Sequence, residues 1–290
     1  MGGELISRNS RKQVIPGPLG PLAAVIDAPR DRPPRAWALL CHGFGSFKEF
    51  KPLAKIAQGL IERGWGALRF DFAGLGASGG EFAESSFHTQ QDDVRSVHGW
   101  MRESGMAPRL LVGHSLGGAT LLSLGAELPA RQLATIGAPS DTVHLAHALE
   151  RMQPQLRSGE ADVEIAGKRR RITPRMLRVL RESDFSDALA RLPQQLLVIQ
   201  PGDDEMVAAQ HGQRIVSLAG QPDALWTVHG ADHLLSEPAH LRLVVERVAA
   251  WADDDVHDDD VHDDDVHNDV RPSTNVRRTS SPSMLDQHSE

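Results

Sequence analysis

The chain has 290 residues, an apolar fraction of 40% and a net charge of −8. This length suits one large domain or two small ones, and the composition is that of an ordinary globular protein. No apolar run reaches the roughly 18 residues that a membrane-spanning helix needs, and the first residues lack the apolar segment of a signal peptide. The single cysteine, Cys41, excludes an intrachain disulfide. We therefore expect a cytoplasmic protein.

Much of the negative charge belongs to the C-terminal segment 253–290, which repeats DDDVH three times. The acidic repeat and its Pro/Ser/Thr-rich continuation predict a disordered tail that follows one domain at 1–252. The remaining body is close to neutral, which gives no basic surface for a nucleic acid. The histidines of the repeat recur every five residues and set no fixed ligand geometry, so we expect no metal site there.

Apolar runs and amphipathic stretches alternate along residues 13–251. The first segment, 13–27, predicts an antiparallel pair of strands at a sheet edge. Strands are then predicted at 36–41, 66–72, 109–115, 133–139, 195–200 and 223–229, and helices at 53–64, 89–104, 116–128, near 207–219 and at 238–251. Near-continuous apolar strands joined by helices predict an α/β fold, with a mostly parallel sheet covered on both faces. An insertion at about 140–193 contains a polar hairpin, VEIAGKRRRI.

The central motif is Gly113-His114-Ser115-Leu116-Gly117, which has the form G-x-S-x-G. A strand precedes it and a long helix follows, which is the context of a nucleophile elbow. In such an elbow the serine lies at a sharp, strained turn, with its hydroxyl above the sheet and at the positive end of a helix. A phosphate-binding turn is the alternative, but no phosphate-loop lysine follows. Ser115 is the candidate nucleophile.

A serine hydroxyl is a weak nucleophile and needs a base. After a nucleophile elbow of this kind, an acidic residue comes next along the chain and a histidine follows it. The strand at 195–200 ends in an acidic turn that offers Asp203 and Asp204. We choose Asp204 because Asp204 to Val207 has the D-x-x-V form of such strand-end turns. His233 lies in the loop after the next strand, ahead of the last helix, whereas the competing His229 still belongs to the strand. The predicted base is therefore His233.

An oxyanion intermediate needs backbone donors. We expect the N–H groups of Leu116, just after the nucleophile, and of Phe44, in the His-Gly-Phe-Gly loop at 42–45. Asp71 could be mistaken for a catalytic acid, but the glycine-rich turn that follows it favours a structural role, in which its carboxylate accepts from local N–H groups. Cys41 lies on an apolar strand, and we expect it to be buried and inert.

Several segments together resemble the α/β-hydrolase domains that are fused to, or encoded near, OsmC-like peroxidase domains. They are LRFDFAGLGASGGEFAESSF (68–87), LLVGHSLGGATLL (110–122), ATIGAPSDTVHL (134–145) and GADHLLS (230–236). The insertion at 163–177 also resembles the short cap of that family. The resemblance implies an α/β-hydrolase fold, the triad Ser115, Asp204 and His233, an esterase-like activity and a functional link to an OsmC-like peroxidase.

These observations predict a serine hydrolase that cleaves small-molecule carboxylic esters or thioesters through an acyl-enzyme, without cofactor or metal. The short cap favours small to medium acyl groups. An acyltransferase or perhydrolase would use the same triad. The alternative from another class is a non-catalytic accessory protein with the hydrolase fold. No membrane or nucleic-acid partner is expected, and the sequence leaves the oligomeric state open.

Overall fold

The computed structural model describes residues 8–165 and 167–263, with side chains described as far as residue 254. An eight-stranded sheet has the order β1-β2-β4-β3-β5-β6-β9-β10, and β7 pairs separately with β8. The strands are β1 (Arg8–Ile15), β2 (Leu22–Pro29), β3 (Trp37–Cys41), β4 (Gly66–Phe70), β5 (Pro108–His114), β6 (Gln132–Ile136), β7 (Ala161–Ile165), β8 (Lys168–Ile172), β9 (Gln195–Pro201) and β10 (Leu225–Val228). The helices are α1 (Lys51–Glu62), α2 (Phe87–Glu103), α3 (Leu116–Leu124), α4 (Val143–Met152), α5 (Pro174–Glu182), α6 (Ser186–Ala190), α7 (Gln210–Leu218) and α8 (Pro238–Asp263).

The predicted mostly parallel sheet is confirmed. Strands β3 to β6, β9 and β10 run parallel to one another, and β1 and β2 form the predicted antiparallel edge. Strands β4 and β6 are buried along their whole length. Their continuous apolar runs therefore reflect a sheet that is covered on both faces.

The order of the strands places the helices on two faces. The chain moves from β3 to β4 in one direction along the sheet, and from β4 past β3 to β5 and β6 in the other. Because parallel crossovers are right-handed, this reversal puts α1 on one face and α2 and α3 on the opposite face. Helix α8 packs against α1, where a Cβ added to Gly59 would lie 2.7 Å from a methyl group of Val245.

The insertion between β6 and β9 forms the cap. It contains α4, the antiparallel hairpin β7–β8 and the helices α5 and α6. The predicted polar hairpin is thus present, and its inner side contributes Ala161, Val163 and Ile172 to the buried core. Helix α5 begins at an N-cap, Thr173, whose hydroxyl accepts a hydrogen bond from the backbone N–H of Met176.

The last helix extends past the predicted domain boundary. Helix α8 continues to Asp263, and Asp253, the first residue of the predicted tail, contacts the domain. Its carboxylate forms an ion pair with Arg35, a second with Arg63 at 3.2 Å, and accepts a hydrogen bond from Trp65 Nε1 at 2.9 Å. The rest of the predicted tail, 264–290, lies outside the described residues. No helix within the described ranges is long and apolar enough to span a membrane.

Candidate active site

The candidate residues lie in a row at the carboxyl ends of four neighbouring strands, where ligands bind in open α/β sheets. Strands β5, β6, β9 and β10 are adjacent in that order. Backbone hydrogen bonds continue the pairing beyond the strands, from Ser115 N–H to the Ile136 carbonyl and from Gly137 N–H to the Ile199 carbonyl, both at 2.9 Å. The row therefore holds the segments that carry Ser115, Gly137, Asp204 and His233 at fixed spacing.

Ser115 lies at the turn between β5 and α3 and has the backbone strain of a nucleophile elbow. Its φ of 52° and ψ of −126° fall in a region that residues other than glycine rarely adopt. The neighbouring glycines allow this turn by close approach. A Cβ on Gly113 would lie 2.4 Å from the Cα of Gly118, and a Cβ on Gly117 would lie 2.4 Å from the His42 carbonyl oxygen.

Asp204 and His233 form a hydrogen-bonded pair. The distance from His233 Nδ1 to Asp204 Oδ2 is 2.7 Å, and both side chains are largely buried. The other carboxylate oxygen, Oδ1, accepts from the backbone N–H groups of Met206 and Val207 at 2.9 and 2.8 Å. These bonds hold the carboxylate in place, and the carboxylate holds the imidazole in one orientation.

The loops that carry this pair are tied to each other. Gly202 N–H donates to the Val228 carbonyl at 2.8 Å, and Asp203 N–H donates to the Ala231 carbonyl at 2.9 Å. Asp203 therefore takes part through its backbone while its side chain is exposed, and the competing His229 is also exposed. Of the two acids and two histidines that the sequence offered, the structure brings together Asp204 and His233.

Gly137 lies against the hydrogen bond between Asp204 and His233. It has a φ of +56°, and a Cβ at this position would lie 3.1 Å from both Asp204 Oδ2 and His233 Nδ1. Any larger residue would therefore press on the hydrogen bond itself, in a backbone conformation that favours glycine. The sequence pattern predicts this glycine within the strand at 133–139 and indicates no role for it.

His114, the first variable residue of the elbow motif, makes a contact that the sequence does not predict. Its Nε2 lies 2.9 Å from the backbone carbonyl oxygen of His233, and the two rings are 4.9 Å apart at their centroids. A carbonyl oxygen only accepts, so the proton of His114 is on Nε2. Burial lowers the pKa of His114 to about 3, with a further contribution from nearby His233, and this keeps the ring neutral.

The Ser115 hydroxyl makes no hydrogen bond with another described residue. In unliganded active sites the bond from nucleophile to base is often long and tightens only when a substrate is bound. His114 nevertheless links the two segments, because it directly precedes Ser115 in the chain and its ring donates to the backbone carbonyl oxygen of His233.

The predicted oxyanion loop lies against the elbow. A Cβ on Gly43 would lie 3.0 Å from the Cβ of Ser115, so the backbone that leads to Phe44 runs beside the nucleophile. Leu116 is the first residue of α3, where backbone N–H groups have no acceptor within the helix. The two predicted donors therefore lie on segments that flank Ser115.

Asp71 is buried at the end of β4 and holds this loop in place. One carboxylate oxygen accepts from Lys48 N–H at 2.6 Å, and the other accepts from Lys48 Nζ at 2.7 Å and from Ala77 N–H at 2.8 Å. These bonds join the turn after β4 to the segment that directly follows the oxyanion loop, which is the structural role expected from the sequence. Cys41 is fully buried as expected, and burial raises the pKa of its thiol well above the usual range.

No group of three or more His, Cys, Asp or Glu side chains is arranged to hold a metal ion in the part of the chain that the structure describes. The site consists of one hydroxyl, one imidazole, one carboxylate and backbone donors. These groups suit nucleophilic attack on a carbonyl carbon with proton transfer through the imidazole.

Several known hydrolases are similar to this chain. Residues 32–139 match the family model described as serine aminopeptidase, S33. Two segments of rat and mouse palmitoyl-protein thioesterase ABHD10, which is named as mitochondrial, are 37% and 36% identical over 75 and 70 residues. The matched segment spans about a quarter of the length of these curated relatives, 24% and 23%.

Solved structures match over most of the chain. The Butyrivibrio proteoclasticus protein Est1E, solved with bound ferulic acid, is 21% identical with a TM-score of 0.67, over 82% of this chain and 97% of its own. An esterase domain from a Rhodothermus marinus protein is 30% identical with a TM-score of 0.66, over 84% of this chain and 98% of that domain. This identity over nearly a whole domain shows that the chain belongs to the α/β-hydrolase family.

Proposed function

We propose that this protein is a serine hydrolase that cleaves carboxylic esters or thioesters through an acyl-enzyme. Ser115 is the nucleophile, His233 the general base and acid, and Asp204 the group that orients the histidine. The observation that carries this proposal is the hydrogen bond of 2.7 Å between His233 Nδ1 and Asp204 Oδ2, next to a serine with a φ of 52°. Strain is retained at this serine because its hydroxyl must point out of the sheet.

The contact between His233 Nδ1 and Asp204 Oδ2 supports these roles. In the proposed mechanism Asp204 accepts the hydrogen bond from His233 Nδ1–H, and Nε2 is then the nitrogen that takes the proton from Ser115. In the first step Ser115 Oγ bonds to the carbonyl carbon while its proton passes to His233 Nε2. The bond to the leaving alcohol or thiol then breaks, and His233 gives the proton to that group. Water then attacks the acyl carbon while its proton passes to His233 Nε2. The bond between that carbon and Ser115 Oγ breaks, His233 returns the proton to Oγ, and the acid is released.

The backbone N–H groups of Phe44 and Leu116 are the proposed oxyanion donors. They flank Ser115, and they would stabilise the negative charge that develops on the carbonyl oxygen in the transition state. Gly43 is what allows the approach, because a side chain there would lie 3.0 Å from the Ser115 Cβ.

Both esters and thioesters fit this chemistry, because each has an electrophilic carbonyl carbon. An esterase domain and palmitoyl-protein thioesterases are among the proteins that resemble this chain. We propose small to medium acyl groups because the cap is short and includes a polar hairpin, β7–β8. The cytoplasmic location and the link to an OsmC-like peroxidase stay predictions from the sequence.

A fluorophosphonate probe tests the proposal. The probe should form a covalent adduct that peptide mass spectrometry locates on Ser115, and no adduct should form in the Ser115→Ala variant. The same protein should hydrolyse 4-nitrophenyl acetate and butyrate faster than the palmitate ester. An unlabelled wild-type protein would instead favour a non-catalytic accessory role. Faster acyl transfer to an added alcohol or to hydrogen peroxide than to water would favour an acyltransferase or a perhydrolase.

A further inference from the structure

The cap hairpin β7–β8 has one face on the oxyanion loop. Ile165, at the end of β7, packs on Gly45, where an added Cβ would lie 2.3 Å from Ile165 Cγ2. Side chains alternate between the two faces of a strand, so Ala161 and Val163 share the inner face with Ile165. Both are buried, which confirms this orientation. Gly45 follows two residues after Gly43, the residue beside Ser115.

Two cations lie on the same inner face. In the hairpin register Val163 is opposite Arg170, and Ile165 is opposite Lys168. Residues that are directly opposite on one face have Cβ atoms about 4.5–5.5 Å apart. Lys168 is exposed. Its flexible side chain therefore starts beside Ile165, at the end of the hairpin that covers the oxyanion loop.

Arg170 is held at the edge of the site without an anionic partner. Its guanidinium lies 5.3 Å from the ring centroid of Phe82, which in turn lies 5.7 Å from that of Phe44. Arg170 Nη1 donates to the Gly74 carbonyl oxygen at 3.3 Å, while Nε is buried with no hydrogen-bond partner. A partly buried cation with an unused donor is costly, unless a further acceptor is present when the site is occupied.

The outer face of the same hairpin is different, because its cations are balanced. Arg171 pairs with Glu160 and Asp162 at 2.6 Å each, and Arg169 lies 3.5 Å from Asp162. Within the ranges that the structure describes, no carboxylate lies within 4.0 Å of the cationic nitrogens of Lys168 or Arg170. The cations of the hairpin that lack an anionic partner, Lys168 and Arg170, are thus both on the inner face, which packs on the oxyanion loop.

We propose that Lys168 and Arg170 form an anion-recognition site, and that the substrates are esters or thioesters with a carboxylate or phosphate group remote from the scissile bond. This inference rests on the proposed hydrolase function and names its substrate class. An anionic group in this position would accept charge-assisted hydrogen bonds from both cations. It would also hold the substrate between the cap and the oxyanion loop.

Matched pairs of substrates test the proposal, because each pair differs in charge and little in shape. Mono-(4-nitrophenyl) adipate and its methyl ester place the charge on the acyl side. The pair 4-acetoxybenzoate and 4-acetoxybenzamide places a carboxylate on the leaving group, and 4-acetoxyphenyl phosphate places a phosphate there. The wild-type protein should show a higher kcat/KM for the charged member of at least one pair. Added NaCl should weaken that preference, because salt screens exposed charges.

The variants Lys168→Gln and Arg169→Gln distinguish specific anion binding by Lys168 from general electrostatic attraction by a positively charged hairpin. Both remove one positive charge from β8, but Lys168 is on the inner face and Arg169 is on the outer face. Lys168→Gln should lower the charged-to-neutral ratio of kcat/KM by roughly threefold to fivefold, the usual effect of losing one exposed ion pair. Arg169→Gln should preserve the ratio. Arg170→Gln should lower it as well, and its free energy of unfolding shows whether the hairpin is still in place.

Two results would overturn the inference. One is equal kcat/KM for charged and neutral members of every pair. The other is an equal effect of Lys168→Gln and Arg169→Gln, which would indicate general electrostatic attraction. In either case, continued hydrolysis of the neutral esters and labelling of Ser115 would leave the proposed hydrolase function standing. Loss of all hydrolysis and labelling in the wild-type protein would overturn both.

Discussion

His114 and His233 are joined by a hydrogen bond in which the ring of the first donates to the backbone of the second. The distance from His114 Nε2 to the His233 carbonyl oxygen is 2.9 Å. The ring of Phe50 also packs on His114, with 4.8 Å between the two ring centroids. Because His114 directly precedes Ser115, this bond fixes the distance between the proposed nucleophile and the loop of the proposed base.

The variant His114→Leu should therefore lower kcat with little change in KM. Misplacement of a catalytic group by about 1 Å costs on the order of 10²-fold in rate, which is the scale expected here. His114→Gln keeps an N–H donor and should recover part of the loss. His98→Leu is a matched control, because His98 Nε2 also bonds a backbone carbonyl, that of Pro129 at 3.2 Å, away from the site. A similar loss of kcat in the control would show a general effect on folding.

The two adjacent acids, Asp203 and Asp204, should differ sharply in their effect on turnover. Asp204→Asn should lower kcat on the order of 10³-fold or more, because an amide no longer fixes the tautomer of His233. Asp203→Asn should keep most of the activity, since Asp203 bonds to the Ala231 carbonyl through its backbone N–H. Steady-state kinetics with one activated ester is sufficient. A more damaging Asp203→Asn would move the orienting role to Asp203.

Asp93 should make the fold less stable as pH rises from about 4 to about 7. Burial is the main cause that raises the pKa of this carboxyl to about 7; the hydrogen bond from Ala73 N–H opposes the shift, and nearby Asp92 adds to it. Between about pH 4 and 7 the folded state therefore binds more protons than the unfolded state, so the free energy of unfolding falls as pH rises.

The variant Asp93→Asn carries no titrating group at this position and should lose that dependence. The difference should reach a few kcal/mol at most, at about 1.4 kcal/mol for each unit of pKa shift. Urea unfolding of both proteins at pH 5 and pH 8 measures it, and the variant should gain stability relative to the wild type at the higher pH. Parallel curves for the two proteins would rule out Asp93 as the source.

The acidic repeat should be dispensable for catalysis, provided that Asp253 is kept. This residue bonds Trp65 and two arginines, so a chain that ends at Ala252 should be less stable than one that ends at Asp254. The longer form should retain the full kcat/KM for an activated ester, because aspartates that repel one another contribute little to packing. Reduced turnover of this form, or a need of the full-length protein for a divalent ion, would contradict the expectation.

The sequence predicts the sheet and the proposed triad because both depend on local patterns. Apolar runs such as RLLVGHS and LLVIQ form the central strands β5 and β9, since buried parallel strands are apolar on both faces. The order serine, acid, histidine and the D-x-x-V turn selected Asp204, whose other oxygen caps that turn through Met206 and Val207. The boundaries shift by a few residues, as at α7, predicted near 207–219 and found at Gln210–Leu218.

The contacts that the sequence does not predict join residues that are far apart along the chain, so no local pattern indicates them. His114 and His233 are 119 residues apart, so nothing near the elbow indicates their hydrogen bond. In the sequence Gly137 is one residue of the predicted strand 133–139, and its position against the Asp204 carboxylate and the His233 ring is seen only in the structure. The sequence likewise shows that the hairpin is basic, but only the register separates the paired Arg171 from the unpaired Lys168.

Hydrolysis of 4-nitrophenyl butyrate by Ser115→Ala tests the central claim most directly. The substitution removes one hydroxyl, and kcat/KM should fall on the order of 10³-fold or more, while the free energy of unfolding stays near that of the wild type. Ser158→Ala, an exposed serine in the cap, is the control and should stay within about twofold of the wild type. A purified Ser115→Ala protein that hydrolyses the ester at close to the wild-type rate would contradict the assignment of Ser115 as the nucleophile.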